Sequence, residues 1–244
     1  MIRPGTIARA VTGCWLLCGL AAVAAPVAPA AGANAKGATI AVLYFDYAGR
    51  DVALEALKKG LAQMLISDLA AVETLRIVER ERLQAVLEEQ KLARSGKIDA
   101  GTAARIGKLL GARYLVLGSY FDALGALRVD ARLVDVETGQ VLKSVGANGK
   151  TDDFLGLEQT LAEGLKEAAR SLPAAGAAPP EASDRRAAPR APRRLKTETA
   201  LVYGRALVAV DDGDRKTAQT LFRKVLSAQP DFELAQRDLN KLIQ

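Results

Sequence analysis

The segments YLVLGSYF (114–121), LRVDARL (127–133) and VLKSV (141–145) follow one another with short connections between them. The first is almost entirely apolar. The second alternates apolar with charged side chains, which is the pattern of a strand with one buried face. The turn from Glu137 to Gln140 includes a glycine where a tight turn favours a positive φ. These features predict three consecutive strands in an antiparallel meander.

Strands and helices alternate ahead of the meander. Thr39–Phe45 and Leu75–Val78 are short apolar runs rich in β-branched and aromatic residues, which predicts two buried strands. Leucines from Leu54 to Leu69 recur at helical spacing, and two further helices are predicted before residue 111. Another helix follows the meander, after Asp152 or Asp153. The order β-α-β-α-α-β-β-β-α predicts an α+β fold in which helices pack on a mixed sheet.

Individual residues mark the expected ends of these helices. Asp51 can cap the first helix, and either Asp99 or Thr102 can begin the third. Gly111 stands where a residue of left-handed conformation is expected to close the third helix.

Three motifs carry a family resemblance. They are IVER (77–80) followed by EEQ (88–90), GKLLGARYLVLG (107–118) and ARLVDVETG (131–139). Together they resemble the curli-secretion (CsgG-type) family and its TolB-N-like relatives, over about residues 38–170. The resemblance implies a non-enzymatic periplasmic domain that oligomerises or docks on envelope assemblies. We therefore assign residues 36–171 to a CsgG-like α+β domain.

Candidate contact residues follow from these motifs. Glu79 and Arg80 lie at a strand-to-helix junction, where they form either a structural salt-bridge node or part of an oligomer contact. Gln90 and Thr138 have the same two interpretations, and Gly139 belongs to the same turn as Thr138. None of the five is predicted to be catalytic.

The connections within the meander are too short for a pore. A membrane hairpin needs two strands of about 9–11 residues each. The first connection spans only about Asp122 to Gly125, and the second is the Glu137–Gln140 turn. We therefore expect a soluble accessory member of the family and not the secretion channel itself.

Residues 197–244 predict a small all-α segment that resembles a tetratricopeptide repeat. Its candidate packing residues are Ala206, Ala218, Phe222 and Pro230. Asp231 can cap its last helix. One repeat is fewer than a stable solenoid needs, so we expect this segment to pack on a partner, on a second copy of the chain, or on the first domain.

The net charge of +6 does not lie on the parts expected to fold. Residues 1–35 hold two of these charges and residues 172–196 the other four, whereas 36–171 and 197–244 are each neutral. A nucleic-acid-binding protein would carry basic charge on a folded face, so no nucleic-acid partner is predicted. Residues 172–196, rich in proline, alanine and arginine, are expected to be a linker. It is either a solubilising tether or a weak contact to anionic cell-wall polymer or lipid.

The N-terminal 35 residues are typical of a secretory signal peptide, because basic residues precede an apolar run and small-residue cleavage sites. The apolar core is shorter than the ~20 residues that a membrane-spanning helix needs. Val11–Cys14 resembles a lipoprotein box, but its apolar run follows the cysteine, so a lipid anchor at Cys14 is not expected. These features predict export to the periplasm.

Composition limits the chemistry. The chain has 244 residues, half of them apolar and a quarter charged, which excludes wholesale disorder. It has no histidine, and its two cysteines are Cys14 and Cys18. A histidine-dependent nucleophile and a zinc or haem site are therefore not expected. We predict no cofactor and no metal.

Two segments resemble catalytic motifs without meeting their requirements. The segment 144–151 is one residue from a phosphate-binding P-loop but lacks the first glycine, and a glycine-rich turn accounts for it. Asp130 and Asp135 are an odd number of positions apart, so a regular strand points them to opposite faces. We expect them to pair with Arg128 and Arg132 at the surface. The chain is therefore predicted not to be an enzyme.

The leading hypothesis is an exported periplasmic adaptor that binds envelope or secretion-complex proteins, or other copies of itself. One alternative is an activator of a peptidoglycan synthase, because penicillin-binding-protein activators have a related fold. Another, from a different class, is an enzyme that depends on carboxylates or a nucleotide.

Overall fold

The computed structural model describes residues 38–90, 92, 99–172 and 195–244. The predicted signal peptide (1–35) and residues 173–194 of the predicted linker lie outside these ranges.

The chain forms one mixed sheet of six strands. In chain order the strands are β1 Ala38–Val42, β2 Asp46–Tyr47, β3 Leu75–Ile77, β4 Tyr114–Ala123, β5 Ala126–Asp135 and β6 Val141–Lys150. The order across the sheet is β3-β1-β4-β5-β6, with β2 paired to β4. Strands β1 to β4 pair in parallel, and β4, β5 and β6 form the antiparallel meander. The predicted α+β class, with a mixed sheet and a meander, is confirmed.

Seven α-helices accompany the sheet in the described residues. They are α1 Leu57–Leu69, α2 Arg80–Glu89, α3 Ala100–Leu110, α4 Phe154–Arg170, α5 Thr197–Asp211, α6 Arg215–Ala228 and α7 Glu233–Ile243. A 3₁₀ turn, Val52–Ala56, leads into α1. The element order matches the prediction, apart from the short strand β2.

The two faces of the sheet are covered differently. One face packs against α1 and α4, in a core that includes Ile40, Val116 and Leu133, and the three C-terminal helices extend this core beyond α1. The other face carries α2 and α3, whose Leu83 and Ile106 pack on the sheet near β1 and the start of β4. On β5, the charged side chains that point towards this second face are exposed or half-buried. The outer face of the meander therefore lies open.

Most of the predicted helix ends are confirmed. Asp51 accepts a hydrogen bond from the Ala53 amide, Asp99 from the Thr102 amide, and Asp153 from the Gly156 amide. Gly111 closes α3 with a φ of 65°.

The predicted capping role of Asp231 is wrong. Helix α7 begins at Glu233, with Phe232 at the N-cap position and no side-chain cap. Asp231 instead accepts a 2.7 Å hydrogen bond from Gln229. The phenyl ring of Phe232 is buried, and its packing fixes where the chain turns into the helix.

The glycine-rich turn predicted within residues 144–151 is also corrected. Strand β6 continues through this segment to Lys150, in register with β5. The glycines fit the strand because a Cβ at Gly146 would meet Asp130 at 2.8 Å, and one at Gly149 would meet Leu157 at 3.1 Å. The segment is a strand without phosphate-loop geometry.

The C-terminal helices pack on the rest of the fold. The described residues on both sides of the 173–194 gap belong to one compact unit, and α5 lies directly on α1. The two helices approach closely at Gly60 and Gly204, since a Cβ at Gly204 would lie 1.9 Å from the Ala56 carbonyl oxygen. Residues 197–244 were expected to pack on a partner, on a second copy of the chain or on the first domain. The structure shows them packed on the first domain.

Candidate interaction surfaces

A buried ion pair fastens α5 to the sheet domain. Arg80, at the start of α2, is only 1% exposed. Its Nη1 atom lies 2.8 Å from both carboxylate oxygens of Asp211, the last residue of α5. Lys59 of α1 pairs with the same carboxylate. Asp211 therefore joins three helices.

A tyrosine extends this cluster towards the surface. The Tyr44 hydroxyl accepts a 3.3 Å hydrogen bond from Arg80 and donates a 2.8 Å one to Gln84. Burial raises the pKa of Tyr44. Burial alone would lower the pKa of Arg80, but the nearby Tyr44 and Asp211 outweigh it and the pKa is raised. Both groups stay in their ordinary protonation states, so the cluster is suited to holding helices together.

The other predicted residues of this region lie apart from the cluster. Glu79 is exposed at the N-cap of α2 and makes no side-chain cap, and Gln90 is half-buried at its C-cap. Sequence reasoning missed Asp211, because it ends a helix 131 positions away and no local pattern pairs it with Arg80.

The second predicted contact region is the turn between β5 and β6. Thr138 is exposed, and Gly139 has a φ of 70°. Asp135 accepts 2.9 Å hydrogen bonds from the amides of Glu137 and Thr138. Burial raises the pKa of Asp135, but these amide bonds and Arg113 outweigh it and the pKa is lowered.

The pairing predicted for the strand carboxylates is half right. Arg128 pairs with Asp130 at 2.8 Å, as expected. Asp135 pairs with Arg113 at 3.0 Å instead of Arg132. Asp135 lies on the same buried face of β5 as Leu133, and strand alternation points it away from Arg132 on the outer face.

The C-terminal helices enclose their own apolar centre. Among the predicted repeat residues, Ala206, Ala218 and Phe222 are fully buried, whereas Pro230 is exposed. The ring of Tyr203 lies 5.9 Å from that of Phe222 and 4.9 Å from that of Phe232. The buried Tyr203 hydroxyl donates a 2.7 Å hydrogen bond to Asp238 on α7.

Asp238 makes the stability of this centre depend on pH. Burial raises the pKa of Asp238, although the hydrogen bond from Tyr203 partly lowers it. The stabilising contribution of the protonated group is therefore present below pH 3.8, its ordinary pKa, and is lost as the pH rises through the raised folded value.

Asp238→Asn removes this ionisation and keeps an oxygen that can accept the Tyr203 hydrogen bond. We expect the variant to become more stable relative to the wild type as the pH rises from ~3, which lies below the ordinary carboxyl pKa, to ~7. Urea denaturation across this range measures the difference in the free energy of unfolding. A constant difference across that range would contradict the assignment.

The described residues offer no obvious site for metal chemistry or membrane spanning. They contain no group of three or more Asp, Glu, Cys or His side chains that could hold a metal ion. Within the same residues, no helix is both long enough and apolar enough to cross a bilayer.

The sheet order and the two helical layers define the class: an α+β domain whose mixed sheet ends in an antiparallel meander. Residues 37–124 match the family described as curli production assembly/transport component CsgG. This part of the chain is therefore similar to the CsgG family, as the two motifs that lie within it predicted. The match ends within the β4–β5 turn, so β5, β6 and all the later helices lie beyond it.

Three similar solved structures each match about half of this chain. The LpoB C-terminal domain from Salmonella enterica is 17% identical, with a TM-score of 0.38, over 47% of this chain and 84% of that one. Lipoprotein GNA1162 from Neisseria meningitidis is 17% identical, with a TM-score of 0.41, over 53% and 96%. A PelC dodecamer from Paraburkholderia phytofirmans is 15% identical, with a TM-score of 0.32, over 54% and 86%. A search of the curated proteins finds no match.

Proposed function

We propose that this chain is an exported, periplasmic adaptor or assembly protein that acts by binding envelope or secretion components and not by catalysis. The observation that carries the proposal is the match of residues 37–124 to the CsgG family. The signal-peptide pattern of residues 1–35 supports export to the periplasm.

The chemistry of the described residues fits binding. Three of the ionisable side chains with little exposure are engaged within the fold: Arg80 pairs with Asp211, and Asp238 accepts a hydrogen bond from Tyr203. Strand β6 is bonded to β5 alone in the described part of the chain, so its other edge can accept a strand from another molecule. The outer face of the meander offers a second accessible surface. The arginines of residues 172–196 would add a weak contact to anionic cell-wall polymer or lipid.

Capture from cell extracts tests the proposal. The purified, immobilised chain is exposed to envelope and cytoplasmic extracts in parallel, and the retained proteins are identified by mass spectrometry. A small set of envelope proteins should be retained and displaced by free chain. The destabilised Asp211→Ala chain, held at a temperature where it alone is unfolded, is the matched control for non-specific retention. Equal retention from both extracts, or none displaced by free chain, would contradict the proposal.

The activator hypothesis from the sequence has its own test. If the chain activates a peptidoglycan synthase, adding it to the purified synthase should increase the rate of glycan or peptide crosslink formation. No change at saturating chain would exclude this alternative while leaving the general adaptor proposal in place. Calorimetry with nucleotides separately tests the enzyme hypothesis, for which we expect no binding.

A further inference from the structure

Helix α6 carries charge of one sign only. It has four basic residues, Arg215, Lys216, Arg223 and Lys224, and no acidic one. Residues 197–244 are neutral in total, but all of their acidic side chains lie outside α6. The neutrality of the segment therefore hides a segregation, with much of its basic charge concentrated on one helix.

The acidic residues that balance this charge are engaged elsewhere. Asp211 and Asp238 point inward, where the sheet domain and α5 hold them. Asp214 caps the start of α6 by accepting a hydrogen bond from the Thr217 amide, and Asp231, beyond its end, accepts one from a nearby side chain. The other acidic residues of the segment belong to α5, its C-cap and α7: Glu198, Asp212 and Glu233.

The basic side chains of α6 lie on its solvent face. The buried stripe of the helix consists of Ala218, Phe222 and Val225, and α6 packs on α5. At 3.6 residues per turn, the opposite face holds five exposed residues: Lys216, Thr220, Arg223, Lys224 and Ser227. We call these five residues the basic face. Within the described part of the chain, none of its three cations has an ion-pair partner.

Helix stability does not account for this placement. The N-terminus is the positive end of the helix dipole, so the first turn favours acidic residues and disfavours basic ones. The first turn of α6 begins with Arg215 and Lys216 and holds no acid. Arg215 donates a 3.0 Å hydrogen bond to the Leu242 carbonyl oxygen, which gives it a role within the fold. The remaining cations of α6 are better explained by an anionic partner.

The composition of the basic face indicates a bilayer surface as that partner. The cores of protein interfaces are enriched in aromatic residues and depleted in lysine and serine, whereas this face consists of Lys, Arg, Thr and Ser. Linear polyanions are bound in grooves that track their backbone, whereas the exposed face of a single helix is convex. Anionic headgroups form an extended flat surface that attracts basic side chains electrostatically.

We infer that α6 lies against a bilayer that contains anionic phospholipid, with Lys216, Arg223 and Lys224 towards the headgroups. The apolar stripe of α6 stays buried on α5, so the contact is peripheral and the helix does not insert. This rests on the proposed function, since it names a membrane surface as one envelope component that the chain binds. Helix α6 lies beyond residues 37–124, so the contact is separate from the segment that matches the family.

A charge-removal variant of the full chain tests the contact. The triple variant Lys216→Gln, Arg223→Gln and Lys224→Gln should keep the helix, because glutamine is a good helix former and all three positions are exposed. Binding is measured by sedimentation with vesicles of phosphatidylcholine mixed equally with phosphatidylglycerol. Each basic residue near such a surface strengthens binding about fivefold, so the triple variant should bind roughly a hundredfold more weakly. Wild-type binding should weaken as salt is added and on vesicles of pure phosphatidylcholine.

A second triple variant, Arg82→Gln, Arg105→Gln and Lys108→Gln, is the matched control. It removes the same charge from exposed positions of the sheet domain, so it should bind the mixed vesicles nearly as well as the wild type. Residues 1–35 and 172–196 are identical in all three chains, so their contribution cancels in the comparison. Urea unfolding should show that the three chains are equally stable.

Three results would overturn the inference: a wild type that binds both kinds of vesicle equally or neither, an α6 variant that binds like the wild type, or a control variant that loses as much as the α6 variant. An envelope protein retained through the α6 charges, without vesicle binding, would assign the basic face to a protein partner instead. A wild type that retains envelope proteins but binds no vesicles would overturn the membrane contact alone and leave the adaptor function standing.

Discussion

Asp211→Ala is expected to lower the free energy of unfolding by about 3–5 kcal/mol, because it leaves Arg80 buried without a counter-charge. The side chains of Arg80 and Asp211 are 2% and 6% exposed, so water cannot readily replace the lost carboxylate. Lys59 loses its partner as well. Urea denaturation followed by circular dichroism measures the change.

Two controls keep the interpretation specific. Glu163→Ala breaks the exposed Lys166–Glu163 pair and should change the unfolding free energy by less than about 1 kcal/mol. The double variant Arg80→Met with Asp211→Leu removes both charges and should recover much of the loss, since apolar replacements of a buried pair are often neutral. A loss for Asp211→Ala no larger than that for Glu163→Ala would show that the pair does not fasten α5.

The second large effect concerns the crossing of α1 and α5. Gly204→Ala places a Cβ 1.9 Å from the Ala56 carbonyl oxygen, and backbone must move to admit it. We expect a loss of about 3 kcal/mol or more, at the upper end for overpacking. Gly60→Ala, on the facing helix, places a Cβ at an ordinary 3.6 Å from its nearest neighbours.

The two glycine variants should therefore change stability in opposite directions. Gly60→Ala removes a flexible residue from a helix interior without a clash, so we expect a gain of about 0.5–1 kcal/mol. Thermal and urea unfolding of both variants against the wild type make the comparison. If both alanines stabilised the chain, the close approach of α5 to α1 would be wrong.

The sheet could be predicted because its signals are local. Alternation along β5 and the turn glycine Gly139 each act within a few residues. Capping at Asp51, Asp99 and Asp153 was predictable for the same reason, since a cap needs only a carboxylate two or three residues before an amide.

What the sequence could not predict depends on distant partners. Asp231 has the right residue type for a cap, but the buried ring of Phe232 determines where α7 begins. The glycines of β6 predict a turn when they are considered alone. Only their pairing with β5 shows that they belong to a strand. Arg80 could be marked as a candidate contact from its motif, but its partner Asp211 is visible only once α5 packs on α1.

Saturable binding to an envelope protein is the most direct test of the central claim that this chain functions by binding. An envelope protein retained in the capture experiment would be purified and titrated with the full chain, with binding followed by calorimetry. We predict a saturable isotherm that is lost with the Asp211→Ala chain at a temperature where that variant is unfolded. Binding that never saturates, or that is unchanged when the chain is unfolded, would contradict the adaptor function.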